Sequence, residues 1–126
     1  MMLEAIISLL ILLQIKHWYI DFVKQTSEEI YSKGIYGDLP GIWHSVKHGI
    51  GTLFAILILT GENFYTEALL LALLDMIIHY HVDWIKSNIN KRRNYTSEMS
   101  EFWWWFGFDQ FIHQLTYLLI LYLVFV

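Results

Sequence analysis

Four apolar stretches of this chain each carry two ionisable residues separated by four positions. Residues four apart lie on one face of an α-helix, so each pair forms a short polar stripe. Within a membrane an ionised side chain costs at least ~2.5 kcal/mol, and four such pairs therefore indicate one shared polar site. The pairs are His17 and Asp21, His44 and His48, His79 and Asp83, and Asp109 and His113.

The residue types in these pairs are those of a metal centre. Imidazoles and carboxylates on paired helices bind the ions of di-metal sites in four-helix bundles. The three aspartates of the pairs, together with Asp75, would carry four negative charges, which two divalent cations would balance. One Zn or Fe ion also fits, because metal-bound imidazoles usually donate their other N–H to a carboxylate. The sequence therefore predicts a divalent-metal cofactor of one or two ions (Zn, Fe or Mn), with the ligands His17, Asp21, His44, His48, His79, Asp83, Asp109 and His113.

Neighbouring polar residues are expected to support this site. The alternative interpretation of the whole cluster is a network of His–Asp hydrogen bonds that fixes helix register. Asp75 lies one turn deeper than the pairs and is expected to hold ligands in place. His81 lies about 160° from the stripe on a helical wheel, which favours an interfacial hydrogen bond. Lys86 could bind an anionic substrate group or extend to the lipid headgroups. Supporting or capping roles are expected for Gln14, Gln25 and Gln110, and packing for Tyr117.

The elements that must position these residues are membrane helices. Hydrophobic residues make up 56% of the 126 residues and aromatic residues 17%, and the mean hydropathy is +0.44. These values are too apolar for a soluble domain of this size. The chain has no cysteine, which excludes disulfides and thiolate metal sites. No phosphate-binding glycine loop or nucleic-acid-binding module is present, so we expect no nucleic-acid partner.

Four spans account for most of the chain, which we expect to form a single domain. A helix needs ~20 apolar residues to cross the hydrocarbon core. The predicted fold is all-α: an integral-membrane four-helix bundle with up-down-up-down topology. The polar pairs come late in the first and third spans and early in the second and fourth, so antiparallel packing puts them at one depth. The predicted spans are 2–25, 41–60, 66–88 and 101–126, and the predicted connections are 26–40, 61–65 and 88–100.

All eight basic residues fall on the side of the predicted site. The positive-inside rule then places the site near the cytoplasmic face of the inner membrane, with both termini outside. Six tryptophans on the same side would anchor the helices at the interface. A homo-oligomer is possible, because Gly49, Gly51 and Gly107 could mark contacts between chains, although packing within one chain explains them equally well.

The motifs together resemble a known family. In chain order they are His17-x3-Asp21-Phe22-x2-Gln25-Thr26, His44-x3-His48, His79-x3-Asp83-x2-Lys86 and Asp109-Gln110-x2-His113. They resemble the small bacterial and phage membrane proteins catalogued as domain of unknown function 3307. A more distant similarity is to the membrane-bound metal-dependent hydrolases. The resemblance implies a site made of the eight predicted ligands and Lys86, and it names no reaction. Asp75 and His81 are not part of the family pattern.

Two functions follow as expectations. The first is a membrane-embedded metal-dependent hydrolase that acts on a lipid or lipid-linked ester or phosphoester, with Asp83, Lys86 and Asp109 as catalytic residues. Lys86 or Lys47 would hold the negative charge of the substrate. The alternative is a non-enzymatic phage or bacterial membrane protein, for example one that excludes other phages or binds a host membrane partner, with a structural His–Asp network. Haem binding fits less well because aspartate is abundant, and ion conduction fits less well because the polar stripe stops midway.

Overall fold

The computed structural model describes all 126 residues, which form helices and short connections without a strand. The prediction of an all-α fold is confirmed. Four helical segments are long and apolar enough to cross a membrane by length and composition. The α-helices are α1 (Met2–Trp18), α2 (Ser27–Ser32), α3 (Leu39–Thr60), α4 (Tyr65–Arg93) and α5 (Ser100–Phe125), with a π-helical turn at Tyr19–Val23 and a 3-10 turn at Glu62–Phe64.

The four long helices pack in an up-down-up-down arrangement. α3 packs against α1 and α4, and α5 packs against α4 and α1. An apolar core fills one end of the bundle, where the start of α1 and of α4 meet the end of α3 and of α5. Because this core joins opposite ends of successive helices, their directions alternate. Its buried residues are Leu9, Leu13, Ala55, Ile56, Ala68, Leu71, Tyr117, Ile120 and Leu121.

The first helix ends differently from the continuous span predicted to residue 25. The chain widens into the π-helical turn Tyr19–Val23, in which the N–H of Lys24 donates to the carbonyl of Tyr19. A π turn holds one more residue than an α turn, and such turns are frequent at functional sites. Asp21 lies in this turn and is buried, so the widened backbone positions one of the predicted ligands.

The connection between α1 and α3 is structured and contains α2. Thr26 and Glu29 form a capping box: the Glu29 N–H donates to Thr26 Oγ1 (3.2 Å) and the Thr26 N–H donates to Glu29 Oε2 (3.0 Å). Ser32 then ties the connection to α3, because its Oγ accepts from the Gly41 N–H at 2.8 Å. A Cβ at Gly41 would lie 3.1 Å from that oxygen, so glycine permits the close approach. The connection therefore lies against α3 and brings Lys33 into the bundle.

The sequence predicts a loop over 88–100, but α4 continues to Arg93. Three basic residues in the last turn stabilise a helix end that carries a partial negative charge. Asn94 adopts the left-handed conformation (φ 54°), and the N–H of Tyr95 donates to the carbonyl of Asn90 at 2.9 Å. This is a Schellman cap. The polar composition of the segment therefore reflects exposure at a helix end, and the extra turns carry Asn90 beside Lys86.

Candidate metal centre

All eight predicted ligands lie buried in the polar half of the bundle. Their side chains come from the end of α1 with its π turn, the first half of α3, the middle of α4 and the first half of α5. The exposed fraction of His44, His48 and His79 is 0%. The antiparallel packing therefore brings the four pairs to one depth, as their positions in the sequence predict.

Asp21 is the centre of the densest group. Its Oδ1 lies 2.9 Å from His44 Nε2, 3.0 Å from His48 Nε2 and 3.6 Å from His79 Nε2. One ligand atom from each of these four residues lies within 4.8 Å of all the others. Tetrahedral ligands at zinc distances of about 2.0–2.1 Å are themselves about 3.3 Å apart. The separations in this group bracket that value, so the four side chains could hold a metal ion.

The hydrogen bonding of this group also fits a cation. Neither ring nitrogen of His44 or His79 has a hydrogen-bond partner, although both rings are buried. The Nε2 of His44 lies 2.9 Å from Asp21 Oδ1 but is not aligned for a hydrogen bond. A buried polar atom without a partner costs about 1–3 kcal/mol. Coordination of a divalent ion would satisfy one nitrogen of each ring, the Nε2 that faces Asp21, since neutral imidazole nitrogen is a common metal ligand.

A second group shares one histidine with the first. His79, Asp83 and His113 also offer ligand atoms within 4.8 Å of one another. Asp83 Oδ2 lies 3.3 Å from His79 Nε2, and Asp83 Oδ1 lies 3.6 Å from His113 Nε2. Asp109 lies outside this group and pairs with His113 at 2.9 Å. The same Nε2 of His79 faces both carboxylates, Asp21 and Asp83, so the two groups compete for one ligand atom.

Three lysines neutralise three of the four buried aspartates. Lys16 Nζ lies 2.6 Å from Asp75, Lys33 Nζ lies 2.7 Å from Asp83, and Lys86 Nζ lies 2.8 Å from Asp109. The sequence predicts two divalent cations as the balance for four aspartates, but in the structure only Asp21 lacks a lysine partner. The negative charge of Asp21 therefore remains, at the centre of a group that could hold a metal ion.

Sequence reasoning missed the internal roles of Lys16 and Lys33. The sequence predicts that both act as basic residues that orient the chain in the membrane, but both are buried. A signal for Lys16 was present, since Asp75 lies a turn deeper than the pairs and needs a counter-charge. No signal identified Lys33, which comes from the connection. The exposed basic residues Lys24, Lys91, Arg92 and Arg93 remain at the same end of the bundle.

His17 has partners on both ring nitrogens and belongs to neither group. Its Nδ1 lies 2.8 Å from Tyr117 Oη, and its Nε2 lies 2.8 Å from Gln110 Oε1 and 3.3 Å from Asp21 Oδ2. The sequence predicts only a packing role for Tyr117, but its hydroxyl also bonds to the cluster. His17 therefore lies beside Asp21, and Gln110 contacts the cluster through His17.

Glu29 is a further buried carboxylate that the sequence reasoning did not connect to the site. Its Oε2 lies 3.7 Å from His44 Nδ1 and its Oε1 lies 2.7 Å from Lys47 Nζ. Burial alone would raise the pKa of Glu29, but the hydrogen bonds from Lys47 and from the Thr26 backbone N–H outweigh it, so the pKa lies below its ordinary value. A carboxylate beside the second nitrogen of a ligand histidine can hold the ring in orientation. The sequence signal that could have identified Glu29 is its position three residues after Thr26, which is the spacing of a capping box.

The remaining polar residues lie around or outside the cluster. Gln25 Nε2 donates to the carbonyl of Asp21 at 3.0 Å, and Gln14 pairs with Gln114. His81 lies away from the cluster with its Nε2 3.0 Å from Tyr36 Oη, the interfacial hydrogen bond that its helical position predicts.

Of the three glycines that could mark contacts between chains, Gly49 and Gly51 face other parts of the same chain and Gly107 does not. A Cβ at Gly49 would lie 3.1 Å from the Ala72 carbonyl, and one at Gly51 would lie 2.6 Å from Lys16 Cγ. Both positions therefore serve packing within the chain. Gly107 has open space around it.

The fold and the cluster define an all-helical protein with four candidate membrane-spanning helices and a buried His/Asp group that could hold a metal ion. Residues 9–126 match the family described as "Protein of unknown function (DUF3307)". The chain therefore belongs to that family, as the four motifs predict. The more distant similarity to membrane-bound metal-dependent hydrolases is not shown. No curated protein and no solved structure matches the chain.

Proposed function

We propose that this chain is a membrane-embedded metal-dependent hydrolase that acts on a lipid-linked ester or phosphoester. The observation that carries the proposal is the convergence of Asp21, His44, His48 and His79 in one buried group. Most imidazole nitrogens of this group have no hydrogen-bond partner. One divalent ion, such as Zn, Fe or Mn, would offset the charge of the one aspartate without a lysine and leave one net positive charge. A bound ion of this kind lowers the pKa of a bound water and polarises a carbonyl or phosphoryl oxygen.

The second group supplies the proton-handling residues. Neither carboxylate oxygen of Asp83 accepts an aligned hydrogen bond. Lys33 neutralises the charge of Asp83, since its Nζ lies 2.7 Å from Asp83 Oδ2. It borders the ion-binding group through His79, so it is the carboxylate best placed to accept a proton from an attacking water. Asp109 orients His113 through the 2.9 Å contact. Lys86 is placed to hold the negative charge of the substrate. These are the three catalytic residues that the sequence suggests.

The placement of the site in the membrane supports a lipid substrate. The exposed basic residues cluster at the end of α4 and after α1, at the same end of the bundle as the site. By the positive-inside rule this end faces the cytoplasm, with both termini outside the inner membrane. A site at that depth is close to the headgroup region, where ester and phosphoester bonds of lipids lie.

The first test measures the metal content, by elemental analysis, of detergent-purified protein that has not been exposed to a chelator. We expect about one ion per chain, and we expect Asp21→Asn to lose it while remaining helical by circular dichroism, because the substitution keeps the shape and removes the charge. His81→Ala is the matched control and should retain the ion. Wild-type protein without metal, or retention of the ion by Asp21→Asn, would overturn the proposed centre.

The second test is activity. We expect the metal-loaded protein to cleave a lipid phosphoester or ester in mixed micelles, and we expect Asp83→Asn to abolish cleavage while it retains the ion. Cleavage at an undiminished rate by Asp83→Asn would refute the role of this carboxylate.

One observation favours the non-enzymatic alternative. The three Lys–Asp pairs already join α1 to α4, the connection to α4, and α4 to α5. Such a network fixes the arrangement of helices without an ion. In that case Asp109→Asn should leave the biological phenotype intact in cells, provided that the protein accumulates to normal levels. Under the hydrolase proposal the same substitution abolishes the phenotype.

A further inference from the structure

A cavity of about 300 Å³ lies beside the proton-handling half of the site, between the connection that contains α2, the last turns of α4 and the start of α5. Its polar lining includes Lys33, Lys86, Gln25 and Asn90, and its apolar lining includes Phe102 and Phe106. It lies at the end of the bundle where the exposed basic residues cluster. The cavity is therefore both close to Asp83 and Asp109 and near the membrane interface.

The charges that line the cavity have one sign. Two lysines contribute to its wall and no carboxylate does. The carboxylate partners lie on the inner side, where Lys33 contacts Asp83 at 2.7 Å and Lys86 contacts Asp109 at 2.8 Å. An ammonium group has three N–H donors. Each lysine therefore keeps donors for a second acceptor, and two such groups across one cavity suit a phosphate.

The neutral polar groups of the cavity require a ligand with donors. Gln25 Oε1 and Asn90 Oδ1 are buried and accept no hydrogen bond. The amide of Gln25 is fixed, because its Nε2 donates to the Asp21 carbonyl at 3.0 Å. Two buried acceptors without a donor, one of them fixed, lie beside two ammonium groups and match a phosphate that carries hydroxyl groups, such as a glycerol or sugar phosphate. A quaternary ammonium headgroup has no hydrogen-bond donor for these oxygens.

The aromatic side chains that line the cavity would contact an apolar part of the ligand. Phe106 packs near Lys86, whose Nζ lies 5.7 Å from the ring centroid, and Phe102 continues the wall along α5. An apolar wall beside a polar cavity at a membrane interface suits an amphiphile with its chain toward the lipid.

We infer that this cavity binds the headgroup of an anionic, hydroxyl-bearing phospholipid, with Lys33 and Lys86 on the phosphate and Gln25 and Asn90 on the hydroxyl groups. The inference deepens the proposed function and rests on it, because this placement would bring the phosphoester bond to Asp83 and the metal centre.

Native mass spectrometry of the detergent-purified protein, titrated with lipid, tests the inference. The probes are phosphatidylglycerol, phosphatidylcholine with the same acyl chains, and glycerol 3-phosphate without a chain. We expect phosphatidylglycerol to bind at least about tenfold more tightly than either of the others, since each lacks one of the features that the cavity matches.

Asn90→Leu should weaken phosphatidylglycerol binding by about fivefold to tenfold, because it removes one acceptor without disturbing a lysine pair. Asn63→Leu, at the opposite end of the bundle, is the matched control and should bind as the wild type does. Equal binding of the two lipids, or no effect of Asn90→Leu, would mean lipid bound only around the helices and would overturn the inference. Equally tight binding of glycerol 3-phosphate would overturn the lipid assignment in favour of a soluble phosphate ester.

Metal analysis of the same samples separates this inference from the proposed function. Wild-type protein that holds an ion but does not select phosphatidylglycerol overturns the headgroup site alone. Selective binding that Asn90→Leu weakens, in a protein without an ion, supports the headgroup site and overturns the hydrolase.

Discussion

The buried pair of Lys16 and Asp75 offers a direct test of the internal charge arrangement. Lys16 is 9% exposed and Asp75 is 1% exposed, and their charged atoms lie 2.6 Å apart. Thr52 Oγ1 also donates to the same oxygen of Asp75 at 2.6 Å. If Lys16 instead projected to the membrane interface, as an orienting charge would, its removal would have little effect on stability.

Lys16→Met removes the ammonium group and leaves a buried carboxylate with one hydroxyl donor. Removal of one partner of a buried ion pair costs about 3–5 kcal/mol, and the remaining bond from Thr52 places the expected loss at the lower end, about 3 kcal/mol. Replacement of the whole pair by apolar residues is often neutral. The double variant Lys16→Met, Asp75→Leu should therefore recover most of the loss, which gives a coupling energy of about 2 kcal/mol or more.

The assay is equilibrium unfolding in mixed micelles with increasing mole fraction of sodium dodecyl sulfate, followed by far-ultraviolet circular dichroism. Lys91→Met removes an exposed lysine from the end of α4 and serves as the control, with an expected change within about 0.5 kcal/mol. The reasoning is refuted if Lys16→Met costs no more than Lys91→Met, or if the double variant is as unstable as the sum of the two single variants.

Two further predictions concern packing and pH. Gly51→Ala places a Cβ 2.6 Å from Lys16 Cγ, so it should lower the free energy of unfolding by about 1–3 kcal/mol, whereas Gly107→Ala, with open space around it, should be neutral in the same assay. Glu29 has a pKa below its ordinary value of 4.5 in the folded protein, so its bond to Lys47 stabilises the fold above that pH and the contribution is lost as the pH falls through the folded pKa. Glu29→Gln should therefore flatten the acid limb of stability against pH, and an unchanged acid limb would contradict this.

The convergence of the four polar pairs could be predicted from the sequence, because the sequence shows both the helical spacing of each pair and its position along its span. His44 and His48 come early in their predicted span and His79 and Asp83 come late in theirs, so antiparallel neighbours must bring them together. The pairs could be identified because each ionisable residue lies within an otherwise apolar stretch of sequence. Burial of all eight residues follows from the same reasoning, because polar groups in a membrane helix must face protein.

The pairing of charges could not be predicted in the same way. Lys33 follows α2 in a connection whose conformation depends on the capping box at Thr26 and on the bond from Gly41 to Ser32, and helical periodicity says nothing about such segments. The path of Lys16 depends on Gly51, which leaves room for the lysine chain between α1 and α3. The π turn at Asp21 breaks the periodicity on which the sequence argument relied.

The lysines divide the cluster into two halves with different chemistry. Around Asp21 the partners are histidines, which are neutral as ligands, and the uncompensated charge of the aspartate favours a cation. Around Asp83 and Asp109 the lysines remove the negative charge, so this half has little to attract a second cation and retains ammonium donors toward the cavity. His79 lies between the halves and can complete only one set of ligands. A single ion at Asp21 beside a cavity that binds anions is the arrangement we propose, because it gives each of the four buried aspartates a positive partner.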